Sequence, residues 1–252
     1  MPGGDTPAGF VRVTAGRCVA IVREAHAEDA RLMLAEGSLY EAAARDLAAR
    51  TLQGRGVAYA ISLPATGTRA VVRHNRHGGL LAPLTRDLFL PPTRAPHELA
   101  VALRLCELGV PTPDLLMYGT SPAPFGFLRA DVVTRRIDEG RDLSAYMAPD
   151  GPRAERSSAW SATRALVRTM NDAGVRHHDL NVKNVLIAPS SDGLTAYLLD
   201  VDRVTFGTPR STEIARGNVE RLLRSARKWR DERGALFDES ELASLDEALA
   251  AR

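Results

Sequence analysis

The sequence predicts an α+β chain with an antiparallel sheet in its amino-terminal half and a mainly helical carboxy-terminal half. Three observations carry this. Short alternating apolar segments bounded by glycine or proline turns recur over 10–22, 57–73 and 115–133. Apolar residues at helical spacing dominate 159–173 and 211–229. Between the two regimes lies a polar break, Asp138-Glu139-Gly140. The expected divisions are an amino-terminal extension with a hairpin over 1–27, a sheet-rich lobe over 28–137 and a helical lobe over 138–252.

Composition sets the outer limits. A chain of 252 residues, 44% hydrophobic and 25% charged, has material for one globular unit of two lobes with a real core. A formal net charge of +2 gives no polyelectrolyte character, so nucleic acid is not an expected partner. The two cysteines, Cys18 and Cys106, are far apart and lack metal-type spacing, which fits a reducing compartment and hence the cytoplasm. No apolar run reaches bilayer length, and Met1 to Thr6 lacks the regions of a signal peptide. Membrane association is therefore expected to be peripheral at most.

The elements follow in order. Phe10 to Val13 and Cys18 to Val22 flank a turn with Gly16 and read as a hairpin. From Glu28 to about Arg50, Leu32, Leu39, Ala43 and Leu47 recur near helical spacing, with Gly37-Ser38 splitting the segment into two helices. Gly54 and Gly56 lead into a strand ending at Ile61, and a turn at Pro64 to Gly67 precedes a second strand ending in Arg73. Glycines at that place let backbone amides approach a phosphate, and Arg73 can reach the same phosphates. Glu98, on a helix over 96–108 with Leu99, Ala102, Leu103 and Cys106 on one side, is the carboxylate partner for Arg73. Between them, Arg73 to Leu81 with Arg86 and Arg94 is dense in cations beside Gly78-Gly79 and suggests an anion site. His74 and His77 have no nearby carboxylate or cysteine in sequence to make them metal ligands. Gly109 to Pro113 stops the helix, strands follow over 115–119 and 127–133, and helices over 143–147 and 159–173 lead to the middle of the second half.

There the chain reads His177-His178-Asp179-Leu180-Asn181-Val182-Lys183-Asn184, then two short apolar segments around a turn at 189–193, then Leu199-Asp200-Val201-Asp202. Singly, each polar residue is ordinary turn or cap chemistry. In this order they form the set that protein kinases use: Asp179 accepts the hydroxyl proton, while Asn184 and Asp200 hold magnesium on the nucleotide phosphates. Asp202 adds a metal contact, and Lys183 joins Gly54, Gly56, Arg73 and Glu98 as a nucleotide contact. The cofactors expected are ATP and Mg2+. A basic helix over 211–229 and a short final helix over 239–251 close the chain. That leaves no room for a peptide platform and points to a small-molecule or glycolipid acceptor. Arg221, Arg224, Arg227, Lys228 and Arg230 on the basic helix are candidates for contact with anionic headgroups.

Five segments together resemble the lipopolysaccharide kinases: Arg73 to Leu80, Gly109 to Pro113, His177 to Asn184, Leu199 to Arg203 and Asn218 to Ser225. The family pattern has Arg-His-Tyr-Arg-x-Gly-Gly, His-Ala-Asp-Leu-Asn-x-x-Asn and Asp-Phe-Asp-Arg. This chain departs from it at Asn75, His178 and Val201 and in the hairpin before Glu28. The resemblance implies a protein-kinase-like bilobal fold and ATP-dependent phosphorylation of a hydroxyl on 3-deoxy-D-manno-octulosonic acid (Kdo), with Kdo-lipid A as acceptor. It also implies action at the cytoplasmic face of a bacterial inner membrane. The alternatives are a kinase for another sugar or an aminoglycoside, and a catalytically silent relative that binds a partner.

Overall fold

The computed structural model describes residues 6–53, 56–75 and 87–250. It divides into two compact units, Met1–Ala100 with Asp114–Arg136, and Val101–Pro113 with Ile137–Arg252. The class is the α+β arrangement that the alternation of patterns predicts, one unit built on a sheet and the other mainly helical.

The first unit is a seven-stranded sheet in which every neighbouring pair is antiparallel. Its strands are β1 (Phe10–Ala15), β2 (Cys18–Arg23), β3 (Arg50–Gln53), β4 (Val57–Ser62), β5 (Arg69–His74), β6 (Leu115–Pro122) and β7 (Leu128–Arg135). The order across the sheet is β1-β2-β6-β7-β5-β4-β3. The β1–β2 hairpin, set apart in sequence as an extension, is one margin of this sheet, with β2 pairing β6 from Val19↔Thr120 to Val22↔Met117. Helices α1 (Ala27–Ala35) and α2 (Leu39–Arg45) cover one face, while α3 (Ala95–Glu107) contributes residues to both units.

The cover is apolar on both sides. Ala30, Met33, Leu34, Leu39, Ala42 and Ala43 from the two helices close over Val13, Ala20, Val22, Ala70, Val72, Met117 and Val133 from the strands. Each fully buried large aliphatic side chain in such a layer contributes about 1.5–3 kcal/mol. The helices lie tight on the sheet: a Cβ at Gly119 of β6 would stand 2.8 Å from Leu39 Cδ1. Two residues expected in this stripe are not in it, Leu32 being 44% exposed and Leu47 fully exposed. Gly37 at φ 134° resets the helical phase. Asp46, the extended C-cap of α2, ends the helix before Leu47, and the segment continues as β3.

A buried carboxylate pins α1 to the β4–β5 turn. Asp29, with no exposed surface, accepts hydrogen bonds from Ala65 N at 2.7 Å, Thr66 N at 3.0 Å and Thr66 Oγ1 at 2.9 Å, and meets His26 Nδ1 at 2.9 Å. Burial pushes its pKa up, but the bonds from His26, Thr66 and Ala65 outweigh that and hold it below the ordinary carboxylate value.

The second unit contains β8 (Arg141–Asp142), α4 (Leu143–Tyr146), α5 (Arg156–Asp172), β9 (Val175–His177), β10 (Val185–Ser190), β11 (Gly193–Leu198), β12 (Val204–Phe206), α6 (Thr212–Arg233) and α7 (Glu239–Ala250). Its sheets are small, one of order β11-β10-β8 and a β12-β9 pair. The apolar stripe of α5, with Trp160, Leu166, Val167 and Met170, is buried as the spacing predicts. On α6 the buried side includes Val219, Leu222, Leu223 and Ala226, with Asn218 among them. Asn218 takes the backbone N–H of His177 at 3.0 Å and donates to Val175 O at 2.8 Å and Asn171 Oδ1 at 3.0 Å. One side chain thus fastens β9, the strand that delivers the polar loop, to two helices. Arg176 passes directly over Gly217 of α6, where any side chain would collide with its guanidinium. Among the described residues, no helix is long and apolar enough to cross a membrane.

Candidate active site

In the first unit, Arg73 lies in the sheet interior, facing Ala58 on β4 and Val132 on β7. Its Nη2 forms an ion pair with Glu98 Oε1 of α3, and its Nη1 donates to Asn75 Oδ1 at 3.1 Å. The two residues that the sequence proposes as partners are therefore together, with Glu98 buried and Arg73 partly exposed. Asn75, standing where the related pattern has tyrosine, is a prop for the guanidinium and is itself buried. Beside it, His74 Nδ1 meets Asp131 Oδ1 at 2.6 Å, and the His74 ring stacks on Tyr40 at 3.6 Å between centroids. Asp131 Oδ2 accepts from Tyr40 N at 3.0 Å, so a carboxylate distant in sequence does partner His74. Gly56 occupies the bend before β4, while Gly54 and the cation-rich stretch 76–86 lie outside the described residues.

The second unit holds the polar loop. His177, wholly buried, accepts from Asp179 N through Nδ1 at 3.1 Å and reaches Leu199 O through Nε2 at 3.1 Å. Burial lowers its pKa, and the opposing pull of Leu199 O and of Asp200, Asp179 and Asp202 does not reverse that. A neutral ring with the proton on Nε2 satisfies both contacts. Asp179 is gripped by its backbone on the other side as well, since its carbonyl accepts from Asn181 Nδ2 at 2.9 Å and Asn184 Nδ2 at 2.9 Å. Asn184 O in turn accepts from Leu199 N at 2.9 Å, which ties the loop to the residue before Asp200. Asp179 and Asn184 are thus bonded directly, and both are tied to Leu199, the residue before Asp200, one through the His177 imidazole and the other through a backbone bond.

Asp200 has a left-handed backbone, φ 58° and ψ 49°, and opens a 3-10 turn over Val201–Arg203 that carries Asp202. Such a conformation costs a non-glycine residue about 1 kcal/mol or more, and aspartate is among the side chains that tolerate it. A divalent cation fits the chemistry of this donor set. Nδ2 of Asn184 is bonded to Asp179 O, so a cation bound here would take its Oδ1, and Asp200 and Asp202 would add hard carboxylate oxygens. No group of three His, Cys, Asp or Glu among the described residues is arranged to hold a metal alone. Magnesium fits such a set because it is commonly held by one or two carboxylates, the remaining positions going to phosphate oxygens and water.

Two cations near the loop have definite places. Lys183 Nζ pairs with Asp142 Oδ2 at 3.0 Å and lies 5.2 Å from the Trp229 ring centre, so its contacts are with the loop's surroundings. Arg221 of α6, which the sequence offered only as a headgroup contact, donates from Nε to His178 O at 2.6 Å and stands 3.8 Å from Asp179 Oδ1. Its spacing to Asn218 was visible, but 42 residues separate it from Asp179 and no local pattern links the two. The rest of the basic helix is largely paired: Arg227 and Arg230 with Glu239, and Lys228 with Glu232. A groove of about 720 Å³ along it alternates Glu220, Asp231 and Glu232 with Arg224, Arg227 and Lys228.

Known proteins similar to this chain identify its family. Residues 43–240 match the model of the lipopolysaccharide kinase (Kdo/WaaP) family. The 3-deoxy-D-manno-octulosonic acid kinase of Actinobacillus succinogenes is 30% identical over 77% of this chain and 81% of its own length. That of Stenotrophomonas maltophilia is 33% identical over 77% of this chain and 76% of its own. A solved structure of WaaP in complex with acyl carrier protein aligns over 87% of this chain and 95% of that one, at 16% identity and a TM-score of 0.47, too distant to carry an inference. The sheet-rich first unit and mainly helical second unit fit the protein-kinase-like arrangement expected from the loop motif. With the match spanning most of the sequence and the loop residues joined as described, the chain is a kinase belonging to the lipopolysaccharide kinase (Kdo/WaaP) family.

Proposed function

We propose that the chain transfers the γ-phosphoryl group of ATP to a hydroxyl of Kdo in the inner core of lipopolysaccharide, with Kdo-lipid A as acceptor. The observation that supports it most is the linked loop of Asp179, Asn184 and Asp200 in a chain whose curated relatives are named Kdo kinases. Asp179 orients the acceptor hydroxyl and takes its proton. Its backbone is held by neutral His177 and by Asn184, and its side chain is partly exposed. Asn184 Oδ1, Asp200 and Asp202 hold magnesium, which when bound neutralises charge on the nucleotide phosphates. Arg73, paired with Glu98 and bonded to Asn75, is the nucleotide-phosphate contact of the proposal.

A catalytically silent relative is not favoured, because the curated relatives are named as kinases and this chain keeps Asp179, Asn184 and Asp200 of the motif. Nor is an aminoglycoside or neutral-sugar kinase, given the names of the relatives. Peripheral contact with the inner membrane is a further part of the proposal, and Arg224, exposed on α6, is one cation that could serve it.

The test is to incubate the protein with ATP, magnesium and Kdo-lipid A and to locate the added phosphate by fragmentation mass spectrometry. A single phosphate on the Kdo unit is expected, and Asp200→Ala should remove both turnover and magnesium-dependent nucleotide binding. Faster transfer to a lipid-free neutral sugar, or wild-type turnover by the variant, would overturn the reading.

A further inference from the structure

We infer that Arg221 is the receptor for the carboxylate of the acceptor sugar, a specificity-determining residue at the proton-accepting aspartate. The inference rests on the acceptor proposed above and goes on to say what in this chain selects it.

The geometry begins with how α6 meets the loop. Arg221 donates to His178 O at 2.6 Å, Ser225 Oγ accepts from Val182 N at 3.2 Å, and Trp229 lies 5.2 Å from Lys183 Nζ. These helix residues are spaced i, i+4 and i+8, one face of α6 laid along the loop. The guanidinium is therefore delivered to Asp179 by a rigid element anchored at three successive turns.

Its donors are only partly used. Nε is committed to the His178 carbonyl, but Nη2 stands 3.8 Å from Asp179 Oδ1, beyond hydrogen-bond length. Arg221 has not closed into a two-pronged pair with Asp179, and 40% of its side chain is exposed. The terminal N–H groups remain in the planar fork that matches a carboxylate.

The acceptor's chemistry supplies the need. A sugar acid that places a hydroxyl on Asp179 brings its own carboxylate close to an anionic side chain, and two such charges side by side repel. A cation between them removes the repulsion and fixes the ring's orientation at once. Lys183, the other cation of the loop, is bound to Asp142 and Trp229. Arg221 already stands beside Asp179.

The experiment crosses enzyme variants with acceptors. Wild type, Arg221→Gln and Arg221→Lys are assayed on Kdo-lipid A and on the same compound with the Kdo carboxyl reduced to an alcohol. The ratio of kcat/KM for the two acceptors does not depend on how much of a variant is folded. Wild type is expected to prefer the acid by about 10- to 100-fold, the range for a hydrogen-bonded charge. Arg221→Gln should lose that preference, mainly through KM for the acid, with KM for ATP unchanged, and Arg221→Lys should keep part of it. If Arg221→Gln slows both acceptors equally, the side chain only clamps His178 or serves the transferred phosphate, and the inference falls while the proposed function stands. Failure of wild type to phosphorylate either acceptor would overturn both.

Discussion

Asp29 and Asp179 are both aspartates with a histidine at hand, and the chain uses them in opposite ways. Asp29 works through its side chain: two backbone amides and a hydroxyl donate to a carboxylate that has no exposed surface, and His26 packs against it. Asp179 is held through its backbone: its N–H goes to His177 and its carbonyl takes two asparagine amides, while 34% of its side chain is exposed. A carboxylate saturated with donors is fixed in charge and position and serves as an anchor. Asp179, by contrast, is fixed by its main chain and has Arg221 Nη2 at 3.8 Å from Oδ1. The difference is the one expected between an anchor and the proton acceptor proposed above.

If the contrast is right, substitution at the two positions should damage different observables. Asp179→Asn retains shape and backbone bonds, so kcat should fall about 10²- to 10⁴-fold, the usual worth of a positioned proton acceptor. Nucleotide affinity and the melting temperature should stay near wild type. A stability loss comparable to that at Asp29 would instead make Asp179 an anchor and erase the distinction.

Asp29→Ala should do the reverse. Removing one side of a buried pair and stranding the turn amides costs about 3–5 kcal/mol, read as an earlier denaturation midpoint, while kcat per folded molecule changes little. The acid limb gives a second reading. Because the folded-state pKa of Asp29 is lowered, its contribution is complete above the unfolded value of about 3.9. It is lost as pH falls through the lower folded value. Wild type should therefore lose stability relative to the variant only below about pH 4, and a loss already complete at higher pH would assign the acid sensitivity to another group.

The same distinction explains what the sequence could reveal. The strand-turn-strand after the loop, the helices over 156–172 and 212–233 and the Arg73–Glu98 pair were legible, because each is written in a local period or in a spacing fixed by one motif. The anchors were not. Asp29 meets Thr66 across 37 residues, Asp131 meets His74 across 57, and Arg221 meets Asp179 across 42, and none of these pairs leaves a periodic trace. The three-residue strands β9 and β12 are too short to show alternation. Leu32 and Leu47 misled for the opposite reason: Leu32 fits a period counted across the break at Gly37, and Leu47 continues the spacing of Leu39 and Ala43 past the end of α2 at Asp46.

Lys183 offers the smallest and most discriminating test of the contrast. The motif suggests a nucleotide contact, yet its ammonium is paired with Asp142, the N-cap of α4, and lies against Trp229, both in the second unit. An exposed ion pair contributes about 0–1 kcal/mol, and an exposed cation–π contact about 0.5–1 kcal/mol. If those contacts are its role, Lys183→Ala should lower the melting temperature by no more than a few degrees and leave KM for ATP within about twofold, the equivalent of less than 0.5 kcal/mol. Asp142→Ala should mimic the loss of the ion pair, since the lysine's partner then disappears from the other side. It should also loosen the start of α4, whose Ala145 N–H it caps. A rise of tenfold or more in KM for ATP with Lys183→Ala, but none with Asp142→Ala, would move the lysine from the scaffold to the nucleotide.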